Sequence, residues 1–245
     1  MSKLNPLNWS RKWQIIGGVG ATVIIVAVIV GAVEGSKSSE SGSYPDYSAL
    51  NYTISERMNG TTFFDHFNYY TDADPSNGAV VYLSEESATW SNLTYAGESS
   101  AILRVDSTSS GITNRNSVRI TSKNQWDTGL LFAVELRDAG IRMWMFDRSS
   151  PPSDLTSTND SSPDPSGWGT PVADFPSTHC DISDHFSNQS IIANIDLCGD
   201  WAGSTAVYST EYGCSGTCAD LVSGNGTAFE NAYWEFASFR VWTSS

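Results

Sequence analysis

Much of the chain consists of short runs in which apolar and polar residues alternate. Apolar side chains recur at Ala101, Leu103 and Val105, and again at Val118 and Ile120. A period of two sends successive side chains to opposite faces of a strand, so these runs predict β-strands. Turn residues separate several runs and no amphipathic helix of a soluble kind is evident, so the pattern predicts an all-β fold, an antiparallel β-sandwich. Further runs of this type are 79–83, 130–135, 141–146, 191–197 and 233–242.

A continuous apolar run near the N-terminus does not follow this pattern. Residues 15–33 contain no charged side chain, and a helix of this length spans roughly 28 Å, about the hydrocarbon thickness of a bilayer. Trp9 and Trp13 precede the run at interfacial positions, and Arg11 and Lys12 flank it. The positive-inside tendency then predicts a single-pass type II membrane protein, with the short tail in the cytosol and the rest outside the cell or in the secretory pathway.

A cleavable signal peptide is the alternative interpretation of this run. Val30, Gly31 and Ala32 resemble a small-residue cleavage site, but the apolar core of a signal peptide is usually shorter than this run. Both interpretations deliver the domain to the secretory pathway. The predicted organisation is a cytosolic tail (1–14), a transmembrane signal-anchor (15–33), a Ser/Gly-rich stalk (34–55) and one β domain (56–245), interrupted by a surface loop at 149–166.

Charge narrows the choice of partners. Residues 1–40 hold four basic and two acidic residues, which leaves 9 basic and 25 acidic residues in the remainder of the chain. This domain would be repelled by nucleic acid phosphates, so a nucleic-acid partner is not expected. A neutral partner such as a polysaccharide fits the charge better, and no cofactor motif is present.

Four cysteines lie in the last third of the chain. An even count in an oxidising compartment predicts two disulfides, with three possible pairings. Pairing of sequence neighbours closes the smallest loops, which favours Cys180–Cys198 and Cys214–Cys218. A zinc site that uses these residues with His179 is the alternative, but the spacing lacks paired CxxC knuckles, so no metal is predicted.

Six Asn-x-Ser/Thr triplets are candidate glycosylation sites, which agrees with an extracellular domain. Chance is the competing explanation, because a chain rich in Ser and Asn produces such triplets freely. The six asparagines are Asn51, Asn59, Asn92, Asn159, Asn188 and Asn225.

Seven motifs follow one another along the chain from about residue 56 to the end. They are FFDHF (63–67), DPSNG (74–78), RNSVRI (115–120), GIRMW (140–144), GWGTPVADFP (167–176), CGDWAG (198–203) and AYWEF (232–236). In this order they resemble glycoside hydrolase family 16, in its fungal, laminarinase-like branch of endo-1,3(4)-β-glucanases. The resemblance implies a β-jelly-roll (concanavalin-like) fold and β-1,3 or mixed-linkage glucan as the substrate class.

The catalytic segment of that family has no counterpart here. Family members carry a Glu-x-Asp-x-x-Glu block, whose two glutamates act as nucleophile and acid/base at a separation of roughly 5–5.5 Å. This chain has no such block, so no catalytic residue is assigned. The carboxylate pairs that remain are expected to be solvated or to cap turns. They are Glu85 with Glu86, Asp72 with Asp74, Glu135 with Asp138, and Asp181 with Asp184.

The missing catalytic block would fall between two apolar runs of the sequence. The strand that leads into the catalytic block and the strand that follows it are fused near Leu131 and Phe132. A genuine deletion, a skipped exon and an error in deriving the sequence all remain open. Because central strands of a sandwich carry core side chains and cover neighbouring edges, the loss predicts exposed apolar surface and an ectodomain that is marginally stable or partly disordered.

Three functions are therefore considered. The first is a membrane-anchored family-16 β-glucan hydrolase that is inactive as written, the activity belonging to a longer form. The second is a non-catalytic β-glucan-binding module, and the third is a structural cell-surface glycoprotein. Binding would use tryptophans that stack on sugar faces, although core packing is the alternative for each one. The candidates are Trp126, Trp144, Trp168 and Trp201, of which Trp168, between two glycines, is the one most expected to be exposed.

Overall fold

Fourteen short strands form the framework of the part of the chain that the structure, a computed structural model, describes. The described residues are 52–127, 129–131, 134–137, 140–147, 149–156, 162–178 and 180–244. The strands are β1 (Tyr52–Asn59), β2 (Phe67–Tyr69), β3 (Val80–Tyr82), β4 (Thr94–Ala96), β5 (Ala101–Arg104), β6 (Arg115–Ser117), β7 (Arg119–Ser122), β8 (Gly129–Leu131), β9 (Val134–Arg137), β10 (Gly140–Met143), β11 (Ala173–Pro176), β12 (Ile192–Asn194), β13 (Tyr233–Phe236) and β14 (Ser238–Ser244).

These strands are arranged in four sheets within the described residues. The largest has six strands in the order β1-β14-β8-β9-β10-β11, and all of its pairs are antiparallel. Two three-stranded sheets have the orders β12-β7-β2 and β13-β5-β4, and β3 pairs in parallel with β6. The expected antiparallel all-β architecture is therefore confirmed, apart from this one parallel pair.

The helical segments are all short and serve as connections. The α-helices are α1 (Glu85–Trp90), α2 (Ser153–Thr156), α3 (Ile182–His185), α4 (Gly199–Ala202) and α5 (Cys218–Ser223). Tighter 3-10 turns occupy Gly60–His66, Pro165–Gly167 and Gly226–Phe229, and a wider π-type turn occupies Ala206–Glu211. None has the length of a typical globular helix, which agrees with the sequence pattern.

The main core lies between the six-stranded sheet and the smaller sheets. Met58 and Phe239 come from β1 and β14, whereas Leu103 and Ile120 come from β5 and β7, and all four are buried in one cluster. At its centre is Phe63, whose ring lies 5.1–5.6 Å from four other aromatic rings, those of Phe64, Phe67, Phe236 and Phe239. The FFDHF motif is therefore a packing element of the sandwich.

The N-terminal predictions fall mostly beyond what the structure describes. The tail (1–14), the anchor (15–33) and residues 34–51 of the stalk lie outside the described residues. Strand β1 already begins at Tyr52, so the last residues assigned to the stalk belong to the β domain. Within the described ranges, no helix has the length and apolar character needed to cross a bilayer.

Candidate carbohydrate-binding surface

The predicted fusion point lies in the middle of the six-stranded sheet. Strands β8 and β9 pair directly with each other, Leu131 lying opposite Val134, and residues 132 and 133 between them lie outside the described residues. Leu131 also lies opposite Val241 of β14, and Val134 lies opposite Met143 of β10. On the β8 side, β14 continues beyond this level to Ser238, whereas on the β9 side β10 ends at Met143, opposite Val134.

A groove occupies the place where β8 and β9 end. An extension of β8 past Leu131 would run beside Arg240 towards Ser238, and an earlier start of β9 would run beside residues 144–146. Side chains from these two stretches, Met143–Phe146 and Ala237–Trp242, line a groove of about 650 Å³ together with Leu155 and Thr156. We call it the sheet groove.

The sheet groove carries apolar side chains that the fold leaves uncovered. Met145 is 75% exposed and Met143 is 41% exposed. Both lie at or just past the end of β10, beside the place where β8 and β9 meet, and exposed apolar surface there is what the loss of central strands predicts.

The carboxylate pairs considered in the sequence do not form a catalytic pair among the described residues. Glu85 and Glu86 are exposed in the first turn of α1, where acidic side chains favour the helix dipole. Asp181 caps α3 by accepting a hydrogen bond from the Ser183 amide. Asp138 and the side chain of Glu135 lie outside what the structure describes.

Asp74 is fixed by hydrogen bonds within the DPSNG turn. Its carboxylate accepts from the Ser76 amide (2.8 Å), the Ser76 hydroxyl (2.5 Å), the Gly78 amide (3.0 Å) and the Tyr82 hydroxyl (2.9 Å). Burial alone would raise the pKa of Asp74, but these donors together outweigh it and hold the pKa below its usual value of 3.8. Asp74 is therefore an ionised, turn-organising carboxylate.

Asp196 faces Asp74 across the same serine. The Ser76 hydroxyl lies 2.9 Å from Asp196 Oδ2, and burial, reinforced by the charge of Asp74, raises the pKa of Asp196 above 3.8. The approach depends on Gly78, because a Cβ at that position would collide with the Asp196 carboxylate. Asn194, two residues earlier, donates to the Tyr82 hydroxyl at 3.2 Å.

These side chains form one connected polar network, which we define as Asp74, Ser76, Tyr82, Asn194 and Asp196. The network does not have the properties of a retaining catalytic pair. Three of the four contacts of Asp74 come from donors in the turn and the fourth from Tyr82 of β3, so the carboxylate is committed to holding this turn and not free to attack an anomeric carbon.

Trp201 is presented beside this network by α4. The Asp200 amide donates to Ser76 O at 2.8 Å, and the Asn77 side-chain amide donates to the Asp200 carboxylate at 3.0 and 3.1 Å. Trp201 itself is 70% exposed. A large aromatic ring held in water beside fixed polar groups has the chemistry of a sugar-stacking position.

The other three candidate tryptophans have structural roles. Trp168 is buried, so the prediction that it is exposed is wrong. Its ring packs edge-on against Trp144 at 5.4 Å, and its Nε1 donates to Asp154. Trp144 is buried too and donates to Gly169 O. Trp126 is half-buried and donates to Ser55 Oγ.

The structure forms a single disulfide among the described residues, Cys198–Cys218. The pairing of sequence neighbours, Cys180–Cys198 and Cys214–Cys218, is therefore wrong, and Cys180 and Cys214 are free and exposed. Cys198 follows β12 and pairs in a β-bridge with Gly78, so the fold, not proximity in sequence, brings it to the start of α5. No cluster of His, Cys, Asp or Glu within the described ranges has a metal-binding arrangement, and His179 lies outside those ranges.

Four of the six candidate glycosylation asparagines are described, and all four are exposed. Asn92 and Asn188 adopt positive φ angles of 55° and 52°, which asparagine tolerates in turns. Asn51 and Asn159 lie outside the described residues. The four exposed asparagines are Asn59, Asn92, Asn188 and Asn225.

Together, the β-sandwich and the exposed aromatic ring beside a polar network are typical of carbohydrate-active β-jelly-roll proteins. The model of the XgeA-like catalytic domain of glycoside hydrolase family 16 matches residues 67–133 and 127–242, and the chain belongs to this family. The two matched stretches meet and overlap at 127–133. This overlap includes β8 and the start of the predicted fusion point.

Curated relatives agree with this assignment. A probable glycosidase of Schizosaccharomyces pombe is 28% identical over 302 positions, which cover 81% of this chain and 71% of the relative. Because 81% of 245 residues is about 200, about 100 of those positions face a gap in this chain. An endo-1,3(4)-beta-glucanase of Arthroderma benhamiae is 40% identical over 118 residues, 47% of this chain but only 25% of that relative.

Solved structures show the same fold. GH16 laminarinase 16A from Phanerochaete chrysosporium, solved with 6-O-glucosyl-laminaritriose in its donor and acceptor sites, superposes with a TM-score of 0.73 at 26% identity. The match covers 79% of this chain and 100% of the laminarinase. An elongating β-1,3-glucosyltransferase of family 16 gives a TM-score of 0.72 at 24% identity. The expected jelly-roll fold is thereby confirmed.

The sequence did not reveal the polar network. Asp74 and Asp196 are far apart in the chain, and nothing in their local patterns connects them. The one available signal was that both lie in or beside family motifs, DPSNG and CGDWAG.

Proposed function

We propose that this chain is a cell-surface member of family 16 that binds β-1,3 or mixed-linkage glucan through Trp201 without hydrolysing it. Membership of family 16 supports descent from glucan hydrolases, and it supports a β-glucan as the ligand. The direct pairing of β8 with β9 is the observation that carries the proposal, because the resemblance to the family implies a catalytic block between these two strands.

The chemistry of retaining hydrolysis supports the absence of activity. It needs one carboxylate free to attack and one protonated acid at roughly 5–5.5 Å, both facing a cleft. Asp74 and Asp196 approach each other across Ser76, but Asp74 is engaged by four donors. Binding needs only a fixed aromatic ring and polar partners, and Trp201 beside the polar network meets that requirement.

The binding proposal is tested with the purified full-length chain on insoluble β-1,3-glucan and on laminarin. We expect retention on the insoluble glucan and no release of reducing sugar from laminarin. Trp201→Ala should weaken retention, whereas Trp90→Ala, at a site 91% exposed but outside the polar network, should leave it unchanged. Release of reducing sugar would overturn the proposed inactivity, and absence of both retention and release would favour the structural glycoprotein.

We further propose that residues 15–33 anchor the chain as a type II membrane protein with its β domain outside. The exposed positions of four glycosylation sequons support this orientation, as does the disulfide Cys198–Cys218, because such bonds persist in oxidising compartments. Resistance of the chain to alkaline carbonate extraction, together with a mass decrease on treatment with peptide N-glycosidase, is the expected result. Release into the soluble fraction with a shortened N-terminus would instead show a cleaved signal peptide.

A longer, active form of the same protein is the remaining alternative, and the gap of about 100 positions against the S. pombe relative favours it. The transcript should be sequenced across the codons for residues 126–138. A product that restores a Glu-x-Asp-x-x-Glu segment would show that this chain is an incomplete copy of an anchored glucanase. A product that matches the present junction would leave glucan binding as the function to test.

A further inference from the structure

The turn that ends α1 holds an asparagine in the left-handed conformation. Asn92 has a φ angle of 55°, its backbone amide donates to Thr89 O at 3.0 Å, and the Leu93 amide donates to Ala88 O at 2.8 Å. These bonds form a Schellman motif, with Ala88 and Leu93 packed in the main core. Glycine is the usual residue at the left-handed position of such a motif. The turn therefore accepts an asparagine here but does not require one.

Asn92 also begins an Asn-Leu-Thr sequon, and its side chain is accessible. The residue is exposed, and its side-chain amide has no hydrogen-bond partner within the described ranges. Asn225, in another sequon, differs, because its side-chain oxygen accepts a hydrogen bond from the Thr227 amide at 3.1 Å. A glycan on Asn92 would displace no hydrogen bond of the described fold.

An exposed tryptophan lies two residues before this sequon. Trp90, the last residue of α1, is 91% exposed and is the most exposed of the large apolar side chains in the described residues. Its indole makes no hydrogen bond or aromatic contact within that part of the chain. Because adjacent Cα atoms lie about 3.8 Å apart, the Cα atoms of Trp90 and Asn92 are separated by at most about 7.6 Å. A sugar attached to Asn92 is therefore within reach of the indole.

The first sugar of an N-linked glycan matches this ring chemically. N-acetylglucosamine presents a face of C–H groups, and such a face packs on an aromatic ring by apolar contact. Covering the indole removes apolar surface from water, which is favourable. The contact also accounts for so large an apolar ring at the surface, where soluble proteins limit exposed apolar area.

An open groove beside Trp90 provides room for further sugars. It has a volume of about 1310 Å³ and is lined by residues 83–87 and 89–91 together with Asn116. This volume exceeds that of most sites for one small molecule. The lining supplies serine and threonine hydroxyls, glutamate carboxylates and the Asn116 amide, and it contains no cationic side chain. These groups suit the hydroxyls of neutral sugars.

The sequon also directly precedes an edge strand. Strand β4 (Thr94–Ala96) lies at the end of the sheet order β13-β5-β4 among the described residues, and its Tyr95 is 59% exposed. Unpaired edges with exposed aromatic side chains invite pairing with other chains unless something covers them. A glycan on Asn92 would provide such a cover.

We propose that Asn92 carries an N-linked glycan and that Trp90 is its platform, with the first N-acetylglucosamine packed on the indole and the following sugars extending along the groove. This inference rests on the proposed delivery of the β domain to the secretory pathway. It does not depend on glucan binding at Trp201.

The direct test uses the full-length chain produced in a yeast secretory host, with each sequon examined by glycopeptide mass spectrometry. We expect Asn92 to be occupied. Hydroxyl-radical footprinting then compares this chain with the same chain treated with peptide N-glycosidase under native conditions. Oxidation of Trp90 should rise severalfold after treatment, whereas oxidation of Trp201 should stay unchanged.

The outcomes separate this inference from the proposed orientation of the chain. An unoccupied Asn92 in a chain that is glycosylated elsewhere would overturn the inference and leave the extracellular placement intact. An occupied Asn92 with unchanged oxidation of Trp90 would do the same. Absence of glycan at every sequon would overturn both.

A stability comparison distinguishes the platform from other effects of the glycan. Asn92→Asp removes the sequon, leaves the residue that peptide N-glycosidase itself produces, and keeps a side chain that tolerates the left-handed conformation. It should lower the melting temperature by roughly 2–4 °C, the shift expected for loss of one aromatic contact in a domain of this size. In a Trp90→Ala background the same change should have little effect, whereas in Trp90→Phe, which keeps a flat ring, most of the shift should remain. An equal shift with and without Trp90 would contradict the platform.

Asn188 offers a matched control. It has a similar φ angle of 52°, and an aromatic residue, Phe186, also lies two positions before it. Phe186 is only 37% exposed, so a glycan there has less apolar surface to cover. Asn188→Asp should therefore shift the melting temperature less than Asn92→Asp does, and a shift of equal size would count against a special role for Trp90.

Discussion

Asp74 and Asp196 share one hydroxyl group, that of Ser76, at 2.5 and 2.9 Å. A hydroxyl has a single proton, so it cannot donate to both carboxylates at once. Asp74 makes the shorter contact and accepts three further hydrogen bonds. The Ser76 hydroxyl is therefore assigned as the donor to Asp74. Asp196 therefore lies beside an ionised carboxylate without full use of the shared donor, and burial together with the charge of Asp74 raises the pKa of Asp196.

The first prediction is that Asp196→Asn stabilises the protein at neutral pH. The folded-state pKa of Asp196 is raised, so its favourable contribution is complete below the unfolded value of 3.8 and is lost as pH rises through the folded pKa. An asparagine side chain still offers an acceptor oxygen to Ser76 but removes the negative charge beside Asp74. We expect a gain of about 0.5 kcal/mol at pH 7, given partial solvent screening, and no gain at pH 3. Thermal denaturation at both pH values measures it, and a lower melting temperature at pH 7 would contradict the proton assignment.

The second prediction is the opposite result for Asp74→Asn. The folded-state pKa of Asp74 is lowered, so its contribution is present above 3.8 and is lost as pH falls through the folded pKa. An amide oxygen accepts more weakly than a carboxylate from the Ser76, Gly78 and Tyr82 donors. We expect a loss of about 1–2 kcal/mol at pH 7 that shrinks below pH 3.8. Equal losses at pH 7 and pH 3 would show that charge is not the cause.

The third prediction concerns the disulfide. Cys198 and Cys218 are 20 residues apart, and a loop of this size stabilises the folded state by about 3 kcal/mol in the chain-entropy model. Cys218→Ser should lower stability by roughly that amount, measured by urea denaturation. Cys214→Ser is the matched control, because Cys214 is exposed and free, and it should change stability little. Peptide mapping that finds Cys214 bonded to Cys218 would contradict the structure.

The sequence predicted the strands that are buried on one face. Ala101 and Leu103 alternate with partly exposed neighbours in β5, so the period of two was visible there. It was not visible in β1, where the register shifts between Ile54 and Glu56 and interrupts the alternation. The long run 233–242 was assigned as one strand, whereas the structure divides it into β13 and β14, which belong to different sheets.

The candidate site was harder to predict than the strands, because it depends on contacts between distant parts of the chain. Trp168 lies in a Ser/Pro/Gly-rich stretch that looks exposed, yet it is buried because Trp144, Phe146 and Asp154 surround it. Trp201 was identified from its motif. The fusion near Leu131 and Phe132 was predicted from the family motifs on either side of it and stays a prediction, although β8 and β9 do pair directly there.

The fourth prediction concerns Arg115, which lies in the RNSVRI motif and is fully buried. Its guanidinium donates to the carbonyl oxygens of Asp106, Ser109 and Val222 at 3.1, 3.0 and 2.6 Å, and it lies 4.6 Å from the Phe229 ring. Arg115→Met leaves these carbonyls without their donor, so we expect a loss of about 3 kcal/mol in the free energy of unfolding.

Denaturation in urea measures the effect of Arg115→Met, with Arg104→Met as the control. Arg104 lies at the surface of β5 and contacts only the Tyr233 ring, at 5.8 Å, among the contacts described for it. Its replacement should cost less than 1 kcal/mol. Similar losses for the two variants would show that the buried contacts of Arg115 do not stabilise the fold.

The fifth prediction concerns the sheet groove left by the interrupted strands. Its exposed methionines should bind an apolar dye such as anilinonaphthalene sulfonate in the native state, since soluble proteins rarely leave such surface uncovered. Met145→Lys should reduce the dye fluorescence by more than half. Met145 is 75% exposed, so the melting temperature should hardly change. Tyr95→Lys changes an exposed side chain outside the groove, so it should leave the dye fluorescence unchanged. If Met145→Lys leaves the dye signal intact, the exposed apolar surface lies elsewhere, and the link between the missing strands and the groove fails.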